Sequence, residues 1–157
     1  MDKYQIIFQA TLKDLDTVYN ICKKTIEKIY PAYYPKGAVD YFLDYHRKEK
    51  IKEDIEKGYV YIHKFNGEVF GTISFKENQI YRFFVEPKYQ HQGYGKKLIE
   101  YAEWMIFKKY DSIILDASFP SKKLYLKNGY KEIEYNKVET ENKDYLCFDV
   151  MRKEKSS

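Results

Sequence analysis

A chain of 157 residues can bury about two-thirds of its unfolded surface, enough for one core, so a single domain over residues 1–157 is expected. Hydrophobic residues make up 44% and charged residues 33%, an ordinary globular balance, and no apolar run approaches the roughly 20 residues that span a bilayer, so no membrane partner is expected. The 28 basic residues are spread among 24 acidic ones for a net charge of +4, which gives no case for nucleic acid but suits a small polyanionic ligand.

In chain order, Met1 to Gln5 lacks the apolar stretch of a secretory signal, which points to the cytoplasm. Tyr4 to Phe8 reads as a first strand. Thr11 or Asp14 can cap a helix whose apolar positions Leu15, Val18, Tyr19, Cys22, Ile26 and Ile29 follow helical spacing, and Pro31 and Pro35 end it. Helical material follows from Ala38 to about Lys57 and stops at Gly58. Tyr59 to Phe65 and Glu68 to Phe75 are rich in strand formers and flank Asn66-Gly67, the strongest hairpin signal in the chain. Ile80 to Val85 is a third strand of this run. From Gly93 the positions Leu98, Ala102, Met105 and Ile106 define a helical face reaching about Lys109. Ile113 to Ala117 reads as a buried strand, Ser121 to Asn128 as a short helix closed by Gly129, and the tail as two strands joined across Thr140 to Lys143. Cys22 and Cys147 stand far apart with no nearby partner at metal-ligand spacing, so reduced thiols and no metal are expected. The 18 Tyr and 10 Phe exceed what a core of this size needs, and some should line a binding groove.

The informative segment is Val85-Glu86-Pro87-Lys88-Tyr89-Gln90-His91-Gln92-Gly93-Tyr94-Gly95-Lys96-Lys97-Leu98, a glycine-bearing loop between a strand and a long helix. Helix N-termini present unpaired N–H groups and a partial positive charge, and glycines let backbone approach a pyrophosphate closely. Lys96 and Lys97 in the first turn oppose the helix dipole, a placement that a nearby anion would offset. A dinucleotide fingerprint fails for want of a third glycine early in a βαβ unit, and a Walker loop fails for want of Gly-Lys-Ser/Thr.

These residues resemble the GNAT superfamily, whose acetyl-CoA loop reads Gln or Arg, two residues, Gly, one residue, Gly or Ala. Gln90-His91-Gln92-Gly93-Tyr94-Gly95 matches at every specified position, preceded by the Val-x-Pro of Val85-Glu86-Pro87. A second signature, a strand and a short helix with a Tyr ending in Gly-Tyr, matches Leu115 to Tyr130. The resemblance implies an α/β (α+β) fold: a mixed, mostly antiparallel sheet of six or seven strands with helices on both faces. It also implies an acetyl-CoA-dependent N-acetyltransferase, with backbone N–H groups of His91, Gln92, Gly93, Tyr94, Gly95 and Lys96 around the pyrophosphate and the edge of Phe83, Phe84 and Val85 along the pantetheine. Gln90 belongs to the same loop. Ser118 stands where many relatives carry a cofactor-contacting Asn.

Attack by an amine requires loss of a proton, because an alkylamine of pKa near 10.4 is only about one part in two thousand neutral at pH 7, and the departing thiolate requires one. Tyr125 matches the tyrosine that serves many GNAT enzymes as that acid. Histone-modifying relatives carry a Glu base where this chain has Gln79; Glu86, Glu77, Tyr81, His46 and an ordered-water relay are the substitutes. The resemblance makes the segment Tyr30 to Pro35 a wall of the acceptor site, so Tyr30, Tyr33 and Tyr34 are expected to bind a small-molecule amine. A protein N-terminal or lysine acetyltransferase and a non-catalytic acyl-CoA sensor are the alternatives, and a homodimer is compatible with the chain.

Overall fold

The computed structural model describes residues 6–156, so Tyr4 and Gln5 of the expected first strand lie outside the described residues. A seven-stranded sheet runs in the order β1-β2-β3-β4-β5-β7-β6, with β1 Ile6–Gln9, β2 Val60–Phe65, β3 Glu68–Lys76, β4 Gln79–Val85, β5 Ser112–Ala117, β6 Lys131–Glu139 and β7 Tyr145–Glu154. Every pairing is antiparallel except β4 with β5. Asn66 and Gly67 both adopt positive φ, 50° and 77°, the twist a two-residue hairpin loop requires, and they join β2 to β3 as the dipeptide predicts.

Helices cover both faces. On one lie α1 Leu15–Ile29, α2 Lys36–Tyr45 and α3 Lys48–Glu56, which enclose Val18, Ile26, Ala38, Ile51, Val60, Ile62 and Phe84. On the other lies α4 Tyr94–Ile106, whose Leu98, Ile99, Ala102 and Ile106 pack on Ile73, Ile80, Ile113, Leu115 and Met151. The short α5 Phe119–Lys127 gives Tyr125 to that second core, while Phe119 packs on the first. The helical stretch expected from Ala38 to Lys57 is two helices, because the chain leaves helical geometry at His46 (φ −106°, ψ 32°).

One irregularity positions the site. Ser74 pairs with Arg82 but Phe75 pairs with Ile80, leaving Tyr81 as an extra residue in β4. Such a bulge reverses the side-chain alternation and bends the strand. Ile80 therefore faces α4, while Phe84, which shares its parity, faces α1. The two parallel strands pair only at Gln79 with Ile114 and Ile80 with Leu115. Beyond that point β4 and β5 separate, and the β5-facing backbone edge of β4 is left without a strand.

Candidate active site

Two cavities open on either side of this gap. The larger, about 590 Å³, runs along the loop and α4: Val85, Gln90, His91, Gly93, Tyr94, Gly95 and Lys96 form one wall, and Lys123, Leu124 and Lys127 of α5 the other. The first helical hydrogen bond at this end of α4 is Lys97 N–H to Gly93 O, so the N–H groups of Tyr94, Gly95 and Lys96 lie ahead of it, as phosphate binding at a helix start requires. Gly93 adopts φ 90°, and a Cβ there would meet nothing within 4 Å, so the loop leaves open space beside its backbone. Three lysines and an open helix N-terminus fit a phosphorylated ligand such as acetyl-CoA. Gly95 is small for a different reason: a Cβ there would stand 3.1 Å from both Leu124 Cδ2 and Phe83 Cζ, so its close approach is to protein.

The smaller cavity, about 160 Å³, lies over the sheet under α2. Its floor includes Phe84 of β4, Asp116 of β5, Leu146 and Phe148 of β7 and Val138 of β6; Tyr41, Phe42, Tyr45 and His46 come from α2 and its end. Tyr30, Phe83, Phe84 and Ser121 line both cavities, which makes the β4–β5 gap their junction. There the Tyr30 hydroxyl donates to Ser118 Oγ at 3.2 Å and Ser118 Oγ lies 3.3 Å from Ser121 Oγ. Tyr125 lines the smaller cavity from the junction side, with its ring 6.0 Å from Phe83 and 5.5 Å from Tyr130. Burial raises its pKa far above the tyrosine range, so it keeps its proton throughout the physiological pH range.

A buried polar cluster supports the cavity wall. Arg82, 1% exposed, donates from Nη2 to Asp54 at 3.0 Å, from Nη1 to Ser74 Oγ at 3.0 Å and from Nε to His46 Nδ1 at 3.2 Å. Lys50 adds a second cation 3.4 Å from Asp54. Burial first, and the Arg82 charge second, hold the His46 pKa well below its ordinary value. The imidazole is therefore neutral, and because Nδ1 accepts from an always-charged guanidinium, its proton sits on Nε2.

Several expected residues take other places. Tyr34 lines neither cavity: it is buried, stacks on Phe119 with ring centroids 5.0 Å apart, and accepts the Phe119 N–H at 2.7 Å. Tyr33 is 52% exposed and lines the larger cavity, so of the three expected acceptor tyrosines only Tyr30 reaches the smaller one. Gln92 is exposed, donates to Lys88 O and does not line the groove. The Gln90 side chain ties the loop to the strand by donating to Val85 O at 3.0 Å, so that carbonyl is already engaged, and because the Glu86 N–H pairs with Phe70 O the Phe84 backbone faces β3, which leaves Phe83 on the free edge. Tyr94 stacks its ring on Phe70 at 4.5 Å and offers the groove mainly backbone. Ser118 lines the smaller cavity and not the larger groove. His46 is a buried wall residue, unlike the surface residue its charged neighbours suggest. Glu86 is paired with Lys24 at 2.9 Å and lines neither cavity. Tyr41, Tyr45 and Asp116 escape the sequence reading; the i, i+4 spacing of the two tyrosines was the available signal.

A family model described as the acetyltransferase (GNAT) domain matches residues 29–155, so the chain belongs to the GNAT acetyltransferase family. The uncharacterized N-acetyltransferase YafP of Escherichia coli is 27% identical over 92 residues, which spans 59% of this chain and 59% of that protein. Among solved structures, a GCN5-related N-acetyltransferase from Rhodopseudomonas palustris superposes with a TM-score of 0.87 at 20% identity over 97% of this chain and 96% of that one. The PaiA N-acetyltransferase of Thermoplasma acidophilum, solved with coenzyme A, gives 0.73 at 21% identity over 96% and 98%. YncA of Salmonella typhimurium, a putative acetyltransferase solved with acetyl-CoA, gives 0.68 at 16% identity over 98% and 95%. The expected mixed sheet with helices on both faces is the fold of these proteins. Among the described residues no helix is long and apolar enough to cross a membrane.

Proposed function

We propose that this acyltransferase moves the acetyl group of acetyl-CoA onto the amine of a small molecule. The observation that carries the reading is the junction: a cationic groove and a small aromatic cavity meet where β4 and β5 part. Bound acetyl-CoA supplies an activated acyl thioester. The α4 N-terminus, Lys96, Lys123 and Lys127 hold its phosphates, and the unpaired backbone edge of β4 at Phe83 offers strand-like hydrogen bonds to its pantetheine arm. Both relatives solved with coenzyme A or acetyl-CoA share this fold, which supports the assignment.

Tyr125 keeps a proton at Oη and donates it to the sulfur as the C–S bond breaks, and the proton that the amine nitrogen sheds on becoming an amide restores it. On the acceptor side, His46 cannot take a proton at Nε2, which already carries one, and Glu86 is engaged by Lys24. Gln79 lines the cavity as an amide, without basicity. Burial raises the Tyr81 pKa so that it keeps its proton, and Glu77 lines neither cavity, which leaves a relay of ordered water toward the cavity opening, past the Asp116 carboxylate, as the route for the ammonium proton. A cavity of about 160 Å³ suits a compact amine better than a peptide. Thiol release from acetyl-CoA, followed with a panel of small amines and lysine peptides and with product mass, tests the reading. Acetylated small amines are the expected product; faster turnover of every peptide would overturn the acceptor class, and release with no acceptor would overturn the activity.

A further inference from the structure

The two cavities differ in charge as sharply as in shape. The groove is lined by Lys96, Lys123 and Lys127, whereas the smaller cavity has two charged residues, Arg82 and Asp116. Arg82 is buried and neutralised by Asp54 within its own cluster. Asp116 is exposed, and among the described residues no hydrogen bond or ion pair engages its carboxylate. Across the sheet, Asp116 and Glu134 both register with Val150, so a second carboxylate stands in the same row, two strands away across β7. Burial and the Glu134 charge raise the Asp116 pKa, so a cation brought beside it would stabilise the charged carboxylate. The stacked Tyr41 and Tyr45 rings, 6.5 Å apart at 14°, line the same cavity and present aromatic surface to a cation.

We propose that the acceptor carries a second cationic group, held by Asp116 and the Tyr41–Tyr45 pair while the reacting amine sits at the junction. Asp116 lies two strand residues before Ser118, whose hydroxyl marks the junction, a span of roughly 6.6 Å. A backbone span of that order suits diamines with a short aliphatic spacer over monoamines, and 1,4-diaminobutane is the probe of that class. Asp116 is here a specificity residue, and the inference rests on the acyl-transfer reading of the site.

Calorimetric titration of 1,4-diaminobutane and butylamine into the protein saturated with coenzyme A tests binding without requiring turnover. The diamine should bind about tenfold more tightly than butylamine, and Asp116→Asn, an isosteric change at an exposed position, should bring the ratio to within about threefold of one. Equal affinities in the unaltered protein, or a preserved preference in Asp116→Asn, would overturn the proposal. So would a collapse of kcat for both amines in equal proportion, which would make Asp116 a base. Absence of thiol release with any amine refutes acyl transfer alone and leaves the binding ratio to decide this inference.

Discussion

The hydroxyl of Tyr125 and the guanidinium of Arg82 show how burial assigns roles to single residues. Desolvation keeps Tyr125 protonated, so it can supply a proton but cannot serve as a base at neutral pH. Tyr125→Phe retains the ring contacts with Phe83 and Tyr130 and removes that donor. Turnover should fall by roughly 10² to 10⁴ while acetyl-CoA affinity, read by calorimetry, stays within about threefold. A variant with unaltered kcat would remove Tyr125 from the chemistry. Arg82 answers to a different measurement. Replacing it with Met leaves Asp54 buried without its guanidinium, beside the partly exposed Lys50, and one-sided removal of a buried pair costs about 3 to 5 kcal/mol. Urea unfolding should show that loss; an unchanged midpoint would mean the pair is replaceable at no net cost.

At the scale of elements, the loop and the start of α4 were legible because glycines and lysines at a helix start have few other physical explanations. The reason for Gly95 was not legible. Its missing Cβ admits Leu124 and Phe83, which belong to other elements, and only the folded chain brings them there. Gly95→Ala should therefore cost about 1 to 3 kcal/mol through overpacking, and the displaced β4 edge should also weaken acetyl-CoA binding. Stability unaffected by this change would show that α5 yields freely. The break between α2 and α3 was hidden for a similar reason: no Gly or Pro marks it, and the His46 turn is held by Arg82 from β4. The bulge at Tyr81, the true origin of the β4–β5 gap, depends on pairing that no single segment encodes. Tyr34 shows the converse, since a tyrosine between two prolines looks like a binding residue until Phe119 is seen stacked on it.

For the whole molecule, buried neutral histidines tie stability to pH. Folding holds His46 well below its ordinary pKa, and His63 is also lowered, by burial first and by the Lys97 charge second. The unfolded chain then binds protons that the folded chain refuses, so stability is complete above about pH 6.5 and falls as pH drops below it. Each histidine contributes a slope of up to about 1.4 kcal/mol per pH unit in that range. Urea midpoints between pH 7.5 and 5 should decline accordingly, and His46→Gln should flatten the decline; a pH-independent midpoint would contradict neutral burial.

The arrangement of the sheet makes one claim above the others, that the gap between β4 and β5 is where cofactor and acceptor meet. A crystal structure with acetyl-CoA measures this directly. Phosphates are expected at the N-terminus of α4, pantetheine along the β4 edge at Phe83, and the thioester sulfur within hydrogen-bond reach of Tyr125 Oη. Pantetheine outside the gap, or a sulfur remote from Tyr125, would contradict it.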